Sequence, residues 1–232
     1  MDETYSTDTA TQRILQAALA HVPFDGWSEA TLTAAIADSG VAAGLGRALF
    51  PRGGVDLALA WHRMGDGLMA DRLATMDLGP LRFRDRIAAA VRARLEVVED
   101  REAVRRGTTL FALPHNAAEG AKAIWGTSDA IWRALGDSSD DLNWYTKRAT
   151  LSAVYAATVL YWLGDDSPGH LATWEFLDRR IDGVMQVEKL KSAARDNPLA
   201  KALLAGPIKL MDKIRKPSVP DDLPGKVMDR FR

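Results

Sequence analysis

The sequence has no cysteine among its 232 residues and only four histidines. Without cysteine, the chain has no disulfide framework, thiolate zinc site, iron–sulfur cluster or cysteine nucleophile. The four histidines are His21, His62, His115 and His170. No two of them have the i,i+4 spacing of a helix-borne metal site, and no phosphate-binding glycine loop or paired-carboxylate motif is present. The sequence therefore predicts a protein that is not an enzyme and needs no metal or cofactor.

The chain also lacks an excess of charge of one sign, because 30 Lys and Arg balance 31 Asp and Glu for a net charge of −1. A protein that mainly binds nucleic acid usually carries a clear positive excess. The acidic, polar start resembles neither a secretory signal nor a transit peptide, and the apolar stretch at 151–163 is shorter than the roughly 20 residues that span a bilayer. We therefore expect a cytoplasmic protein.

Apolar residues recur every three or four positions, and period-two alternation is nearly absent, so the sequence predicts an all-α fold. Pro23 is predicted to end the first helix, Ser28 and Gly40 to bound the next, and Asn116 with Glu119 to form a capping box. The predicted helices cover 9–22, 29–39, 42–50, 55–76, 83–98, a short segment ending at 113, 117–135, a segment beginning at Asp140 or Asp141, and 171–185.

One stretch is unusually apolar, because Ser152 and Thr158 are its only small polar residues between Leu151 and Leu163. A helix that is apolar all round is normally surrounded by other helices. The sequence therefore predicts a central helix that is buried on all sides.

The order of helix, short helix, turn and short helix over 9–50 resembles the N-terminal DNA-binding domain of TetR-type regulators, as do the residues at 36–41 and Phe50-Pro51. The third helix, at 42–50, has Arg47 as its single cation, and residues 9–55 carry no net charge. A DNA-reading helix needs cations for phosphates and donors for base edges. We therefore expect a TetR-like fold that binds no nucleic acid; a ligand-responsive TetR-type regulator is the alternative.

Three later segments carry a more specific resemblance: Ala-Leu-Pro-His-Asn at 112–116, Asp-Leu-Asn-Trp-Tyr-Thr-Lys-Arg-Ala at 141–149 and Trp-Glu-Phe-Leu-Asp-Arg-Arg-Ile at 174–181. They closely resemble the coenzyme Q biosynthesis protein nine family in its bacterial form, over about residues 10–215. The resemblance implies a non-catalytic protein with a TetR-like fold that binds an isoprenoid quinone precursor or another lipid, such as a phospholipid. It further implies presentation of that precursor to a di-iron, demethoxyubiquinone-type hydroxylase. We also expect the homodimer that is common among TetR-like folds.

The second of these segments is the expected partner-binding surface. Aromatic side chains beside charged ones at a helix start are either one buried anchor with one half-exposed ring, or an exposed hot spot of a protein interface. The resemblance favours the hot spot, with Arg148 and the acidic residues at its rim. The predicted partner-binding residues are Asp141, Asn143, Trp144, Tyr145 and Arg148. His115, just before a helix, is predicted to be a turn or capping residue.

An apolar cavity is expected among the tryptophans, five of which lie beyond residue 120. Bulky aromatic side chains usually pack a core, and those that pack imperfectly can line a roomy cavity. The predicted lining residues are Met64, Leu68, Ile87, Val91, Trp125, Tyr155, Val159 and Trp162.

The segment at 198–216 has a strongly amphipathic pattern, with five cations opposed only by Asp212 for a net charge of +4. This composition is typical of a helix that lies in an anionic membrane surface; a terminal helix packed on the body, or on a second copy, is the alternative. The predicted membrane-binding residues are Leu199, Lys201, Leu203, Leu204, Ile208, Lys209, Leu210, Met211, Lys213 and Ile214.

The whole chain is expected to divide into four regions: a degenerate helix-turn-helix at 1–54, a lipid-binding domain at 55–196, a membrane-associating helix at 197–216 and an extended tail at 217–232. The expected location is therefore cytoplasmic, with peripheral association to the inner membrane.

Overall fold

The computed structural model describes residues 7–98, 100–196 and 217. Every regular element in this part of the chain is helical, which confirms the all-α prediction. The α-helices in chain order are α1 (Thr7–Ala18), α2 (Val22–Asp25), α3 (Glu29–Ser39), α4 (Ala43–Leu49), α5 (Gly54–Thr75), α6 (Phe83–Glu96), α7 (Arg101–Ala112), α8 (Ala117–Ala134), α9 (Leu142–Leu163) and α10 (Leu171–Asp196), with a short 3-10 helix at Pro168–His170. The predicted amphipathic helix at 197–216 and the tail beyond Pro217 lie outside the described residues.

The predicted ends of α3 are confirmed. The Ser28 hydroxyl accepts a hydrogen bond from the Thr31 amide at 3.1 Å, and Gly40 ends the helix with a φ of +67°. The predicted end of the first helix is wrong, because α1 already stops at Ala18 and Pro23 lies in the first turn of α2. Proline fits that position because the first amides of a helix have no partner within the helix.

The starts of α8 and α9 differ in how they are capped. The Asp141 carboxylate accepts a hydrogen bond from the Asn143 amide at 2.9 Å, which confirms Asp141 as the start of α9. The predicted capping box at α8 is wrong, because Asn116 instead donates from its side chain to the Leu110 carbonyl at 3.2 Å. Glu119 is held by ion pairs with Lys122 and Arg52.

The buried apolar side chains form two clusters, and both receive residues from α5. The N-terminal core joins α1, α3 and the first half of α5, with Ile14, Leu32 and Leu57 fully buried. The C-terminal core joins the end of α5 to α6, α8, α9 and α10. A hydrogen bond of 2.9 Å from the Trp27 indole to the Ala103 carbonyl ties the N-terminal core to α7.

Helix α9 packs against α8 and α10, but the prediction that it is buried on all sides is wrong. Leu160 is 61% exposed and Tyr161 is 39% exposed, whereas Leu151 and Trp162 belong to the C-terminal core. One face of α9 therefore packs in the core, and the opposite face borders solvent and a cavity.

Candidate ligand cavity and aromatic surface

A cavity of about 480 Å³ lies between the two cores. Trp27, Trp61 and Phe111 line it from the N-terminal side, and Leu95 and Val159 from the C-terminal side. Its volume is within the range of roughly 300–1,000 Å³ that is usual for small-molecule sites. An engineered protein cavity of about 150 Å³ already binds benzene, so this cavity can hold an aromatic ring together with part of an apolar chain.

The cavity exists because small residues occupy one face of α8. Ala117, Gly120, Ala121 and Ile124 follow one another at helical spacing, and all four line the cavity. The same face of a helix built from leucines would fill much of this space. Gly120 also permits close packing on α7, because a Cβ there would lie 2.7 Å from the Cβ of Phe111.

Only two of the eight predicted lining residues, Tyr155 and Val159, line this cavity. The other six do not line it: Ile87, Val91 and Trp162 are packed in the C-terminal core, Met64 packs on the N-terminal core, Leu68 is 46% exposed, and Trp125 contacts Trp144. The physical reason is that large side chains fill space, so the cavity opens where side chains are small. The Ala-Ala-Glu-Gly-Ala stretch at 117–121, in which every residue except Glu119 is small, is the sequence signal that would have located it.

The buried end of the cavity is polar. The Arg94 side chain, which is 4% exposed, donates from Nε to Asp66 at 2.7 Å and from Nη2 to the His62 carbonyl at 3.0 Å. Gly65 makes room for it, because a Cβ at that position would lie 2.8 Å from the guanidinium. Arg94, His62 and Tyr155 all line the cavity.

Thr127 connects these polar side chains. Its hydroxyl donates to Asp66 at 2.8 Å and lies 2.8 Å from His62 Nε2. Burial and the nearby Arg94 lower the pKa of His62 to about 4, so its imidazole is neutral at neutral pH. Burial raises the pKa of Tyr155, so its phenol keeps its proton.

The predicted partner surface is an aromatic cluster at the start of α9. The rings of Trp144 and Tyr145 meet edge to face with centroids 4.8 Å apart, and Trp125 lies 5.9 Å from Trp144. All three side chains are half-buried. Of the other predicted members, Asp141 caps α9, and Asn143 is exposed and donates to the Asp141 carboxylate at 3.0 Å.

Arg148 lies beneath this cluster, so its predicted place at the rim is wrong. It is 2% exposed, pairs with Asp129 at 2.6 Å and with Asp137 at 3.0 Å, and its Cζ lies 4.1 Å from the Trp144 ring centroid. Burial alone would raise the pKa of Asp137, but hydrogen bonds from Lys147, Ser139 and Arg148 lower it to about 2. The aromatic cluster therefore rests on a charged network that fixes its shape.

Two further predictions concern α4 and the turn before α8. Arg47, the cation of α4, pairs with Glu29 and donates to the Thr33 hydroxyl at 2.8 Å, so its charge is already engaged within the domain. His115 lies exposed in the turn between α7 and α8, as predicted. Among residues 7–98 and 100–196, no helix has the length and apolarity needed to cross a bilayer.

Residues 117–188 match the COQ9 family model. The chain is 33% identical over 193 residues to "Ubiquinone biosynthesis protein COQ9, mitochondrial" of Drosophila melanogaster, covering 80% of this chain and 58% of that protein. It is 30% identical over 201 residues to the protein of the same name from Homo sapiens, covering 80% of this chain and 61% of that protein. The chain thus spans about three-fifths of the length of these curated relatives.

The fold is also similar to that of a TetR transcriptional regulator from Nitrosomonas europaea ATCC 19718. The TM-score is 0.60 at 20% sequence identity, and the match covers 74% of this chain and 95% of the regulator. This likeness shows a TetR-like fold, as the sequence predicts. Together with the matches over four-fifths of the chain, it leads to one conclusion: the chain has a TetR-like fold and carries a COQ9 family domain at 117–188.

Proposed function

We propose that this protein is a non-catalytic, lipid-binding accessory protein of ubiquinone biosynthesis. It holds an isoprenoid quinone precursor in the cavity between the two cores and presents it to a di-iron hydroxylase at the membrane. The observation that carries the proposal is the apolar cavity of about 480 Å³. The relatives named ubiquinone biosynthesis proteins support the pathway.

The cavity suits an isoprenoid chain because such a chain needs apolar surroundings and no dedicated polar contact. Each buried methylene contributes about 0.8 kcal/mol, so a few isoprene units give tight binding. Leu160 lines the cavity and is 61% exposed, so a chain longer than the cavity can leave past this residue.

Mass spectrometry of organic extracts from the natively purified protein tests lipid binding. Wild type is expected to carry an isoprenoid quinone precursor, and Ala156→Phe, which places a ring in the cavity, is expected to carry little or none. The matched control is Ala153→Phe, because Ala153 is exposed on the same helix and is not a lining residue. An extract of wild type without lipid, or an equal lipid content in both variants, would contradict the proposal.

The aromatic cluster of Trp125, Trp144 and Tyr145 is the proposed binding surface for the hydroxylase. Tryptophan and tyrosine are enriched at interface hot spots, and a surface that is fixed before binding loses less entropy on association. In a pull-down with the di-iron hydroxylase, Tyr145→Ala is expected to lose most of the association. Tyr161→Ala, which removes an exposed tyrosine from the other end of α9, is expected to retain it. Full association of a folded Tyr145→Ala protein would exclude this surface.

The segment at 198–216 is the proposed membrane-binding element, on the basis of its net +4 charge and segregated apolar face. Each cation near anionic headgroups contributes about 1 kcal/mol. Deletion of residues 198–232 is expected to abolish flotation with anionic vesicles, and unchanged flotation would refute the assignment. Loss of a homodimer on the same deletion would instead indicate that the apolar face packs on a second copy.

A further inference from the structure

The cavity has two unlike ends. At the mouth, Ala112, Ala121 and Leu160 are exposed, and they present only apolar side chains. At the other end, Arg94 and Tyr155 are 3% and 4% exposed and present a guanidinium and a phenol. A ligand with one polar end and one apolar end therefore has a preferred orientation in this cavity.

The guanidinium of Arg94 has a donor to spare. Nε and Nη2 donate to Asp66 and to the His62 carbonyl, whereas Nη1 has no hydrogen-bond acceptor in the part of the chain that the structure describes. A hydrogen bond from a charged group is stronger than one between neutral groups, so a ligand oxygen placed beside this donor is stabilised. Since Arg94 is a lining residue, such an oxygen can reach it from within the cavity.

The charges at the buried end of the cavity determine whether a charged or a neutral ligand oxygen binds there more favourably. The positive charge of Arg94 is already paired with Asp66, and the neutral His62 adds none. A carboxylate or phosphate would leave a buried negative charge without a counter-charge, which is costly. A neutral carbonyl oxygen accepts the same hydrogen bond without this cost.

We infer that the buried end binds a carbonyl oxygen of a quinone ring, with Arg94 Nη1 as the donor and the Tyr155 hydroxyl beside it, so that the ligand lies ring inward and tail outward. The inference rests on the proposed function and adds the orientation and the recognition of the head group. The isoprenoid tail leaves past Leu160 and the neighbouring Tyr161, both exposed on α9. Transfer to a partner then requires the ring to leave the buried end.

Three probes with the same ten-carbon chain test the head-group contact: a decyl-substituted dimethoxybenzoquinone, decylbenzene and decanoate. Wild type is expected to bind the quinone tighter than decylbenzene or decanoate. The double variant Arg94→Gln/Asp66→Asn keeps the buried pair neutral and polar but removes the spare donor. It is expected to weaken quinone binding about 10-fold or more and to leave decylbenzene binding unchanged.

Tyr155→Phe keeps the ring and removes only the hydroxyl, so it carries the same test if the double variant folds poorly by circular dichroism. A selective loss of quinone affinity of about 3-fold or more is expected. Equal effects on quinone and decylbenzene, unchanged quinone affinity in both variants, or tighter binding of decanoate would overturn the inference. If wild type binds neither the quinone nor decylbenzene, the proposed function fails with it.

Photo-crosslinking tests the orientation directly. A quinone probe with a diazirine at the end of its tail is expected to label the mouth, at Ala112, Ala121 or Leu160. Labelling of His62 or Tyr155 at the buried end would overturn the inference, because the tail would then lie inward. In that case the protein would still be a lipid carrier, so the two failures are distinguishable.

Discussion

The two ends of helix α9 are built in different ways. At its start, Trp144 and Tyr145 rest on Arg148, which is buried between Asp129 and Asp137. Further along, Tyr155 and Val159 face empty space. The first region is held in one shape by charge, and the second is a volume left by small residues on the neighbouring α8.

This difference matches the two kinds of ligand that we propose for the protein. A protein surface is recognised through side chains of fixed geometry, because each ordered contact then costs little entropy on binding. An apolar chain is recognised mainly by the area that it buries, so it needs room more than geometry. Substitutions in the two regions should therefore differ in the size and the kind of their effect on stability.

The largest change in unfolding free energy is expected for substitutions in the charged network beneath the aromatic cluster. Arg148→Met removes the buried cation that pairs with both Asp129 and Asp137, although Asp137 keeps its ion pair with Lys147, and removal of one member of a buried ion pair typically costs about 3–5 kcal/mol of unfolding free energy. Arg133 also pairs with Asp129, but its side chain is 70% exposed. Arg133→Met is therefore expected to cost less than about 1 kcal/mol. Urea unfolding of both variants measures the contrast, and a similar small cost for both would refute a structural role for Arg148.

Because His62 lies at the buried end of the cavity, the unfolding free energy of the protein should depend on pH. Because the pKa of His62 is about 4 in the folded protein and 6.5 for a free imidazole, the unfolded chain takes up the proton first as the pH falls. Stability is therefore lost between about pH 6.5 and pH 4, by up to roughly 3 kcal/mol.

Urea unfolding at several pH values across this window measures the effect. His62→Gln keeps a polar side chain that does not titrate, so the loss of stability in this window should be smaller in the variant than in wild type. The same slope in both proteins would mean that His62 does not remain neutral in the fold.

The smallest change in unfolding free energy is expected for a substitution that partly fills the cavity. Ala156→Leu adds apolar atoms to the cavity, and cavity filling commonly stabilises a protein by about 0.5–2 kcal/mol. Ala153→Leu, on the exposed face of α9, should change the unfolding free energy by less than about 0.5 kcal/mol. Thermal unfolding without lipid compares the two, and destabilisation by Ala156→Leu would show that this region is already fully packed.

Much of the fold follows from the sequence because helix signals are local. Ser28, Gly40 and Asp141 end or begin helices as predicted, since a capping residue acts within a few positions of itself. The resemblance of the segments at 112–116, 141–149 and 174–181 correctly indicates the family. The family model matches 117–188, which includes two of these segments.

The site is less predictable because its properties come from residues that are distant in sequence. Trp162 and Tyr155 lie two turns apart on one helix and both belong to the C-terminal core, yet of the two only Tyr155 also lines the cavity, according to what α7, α8 and α10 place opposite them. Arg94 is an ordinary arginine in an amphipathic pattern until the fold places Asp66 and Gly65 against it. The sequence likewise predicts Arg148 at the rim of the partner-binding surface, and it is the packing of α8 against α9 that buries this side chain.

The central claim is that the cavity serves ubiquinone biosynthesis, and the quinone profile of cells tests it most directly. The chromosomal copy of this protein is replaced by Ala156→Phe or by the matched control Ala153→Phe, and the lipid extracts are compared by mass spectrometry. The account predicts less ubiquinone and accumulation of a late precursor in cells with Ala156→Phe, and a normal profile in cells with Ala153→Phe. A normal profile in both, with the Ala156→Phe protein folded and present at the usual level, would contradict it.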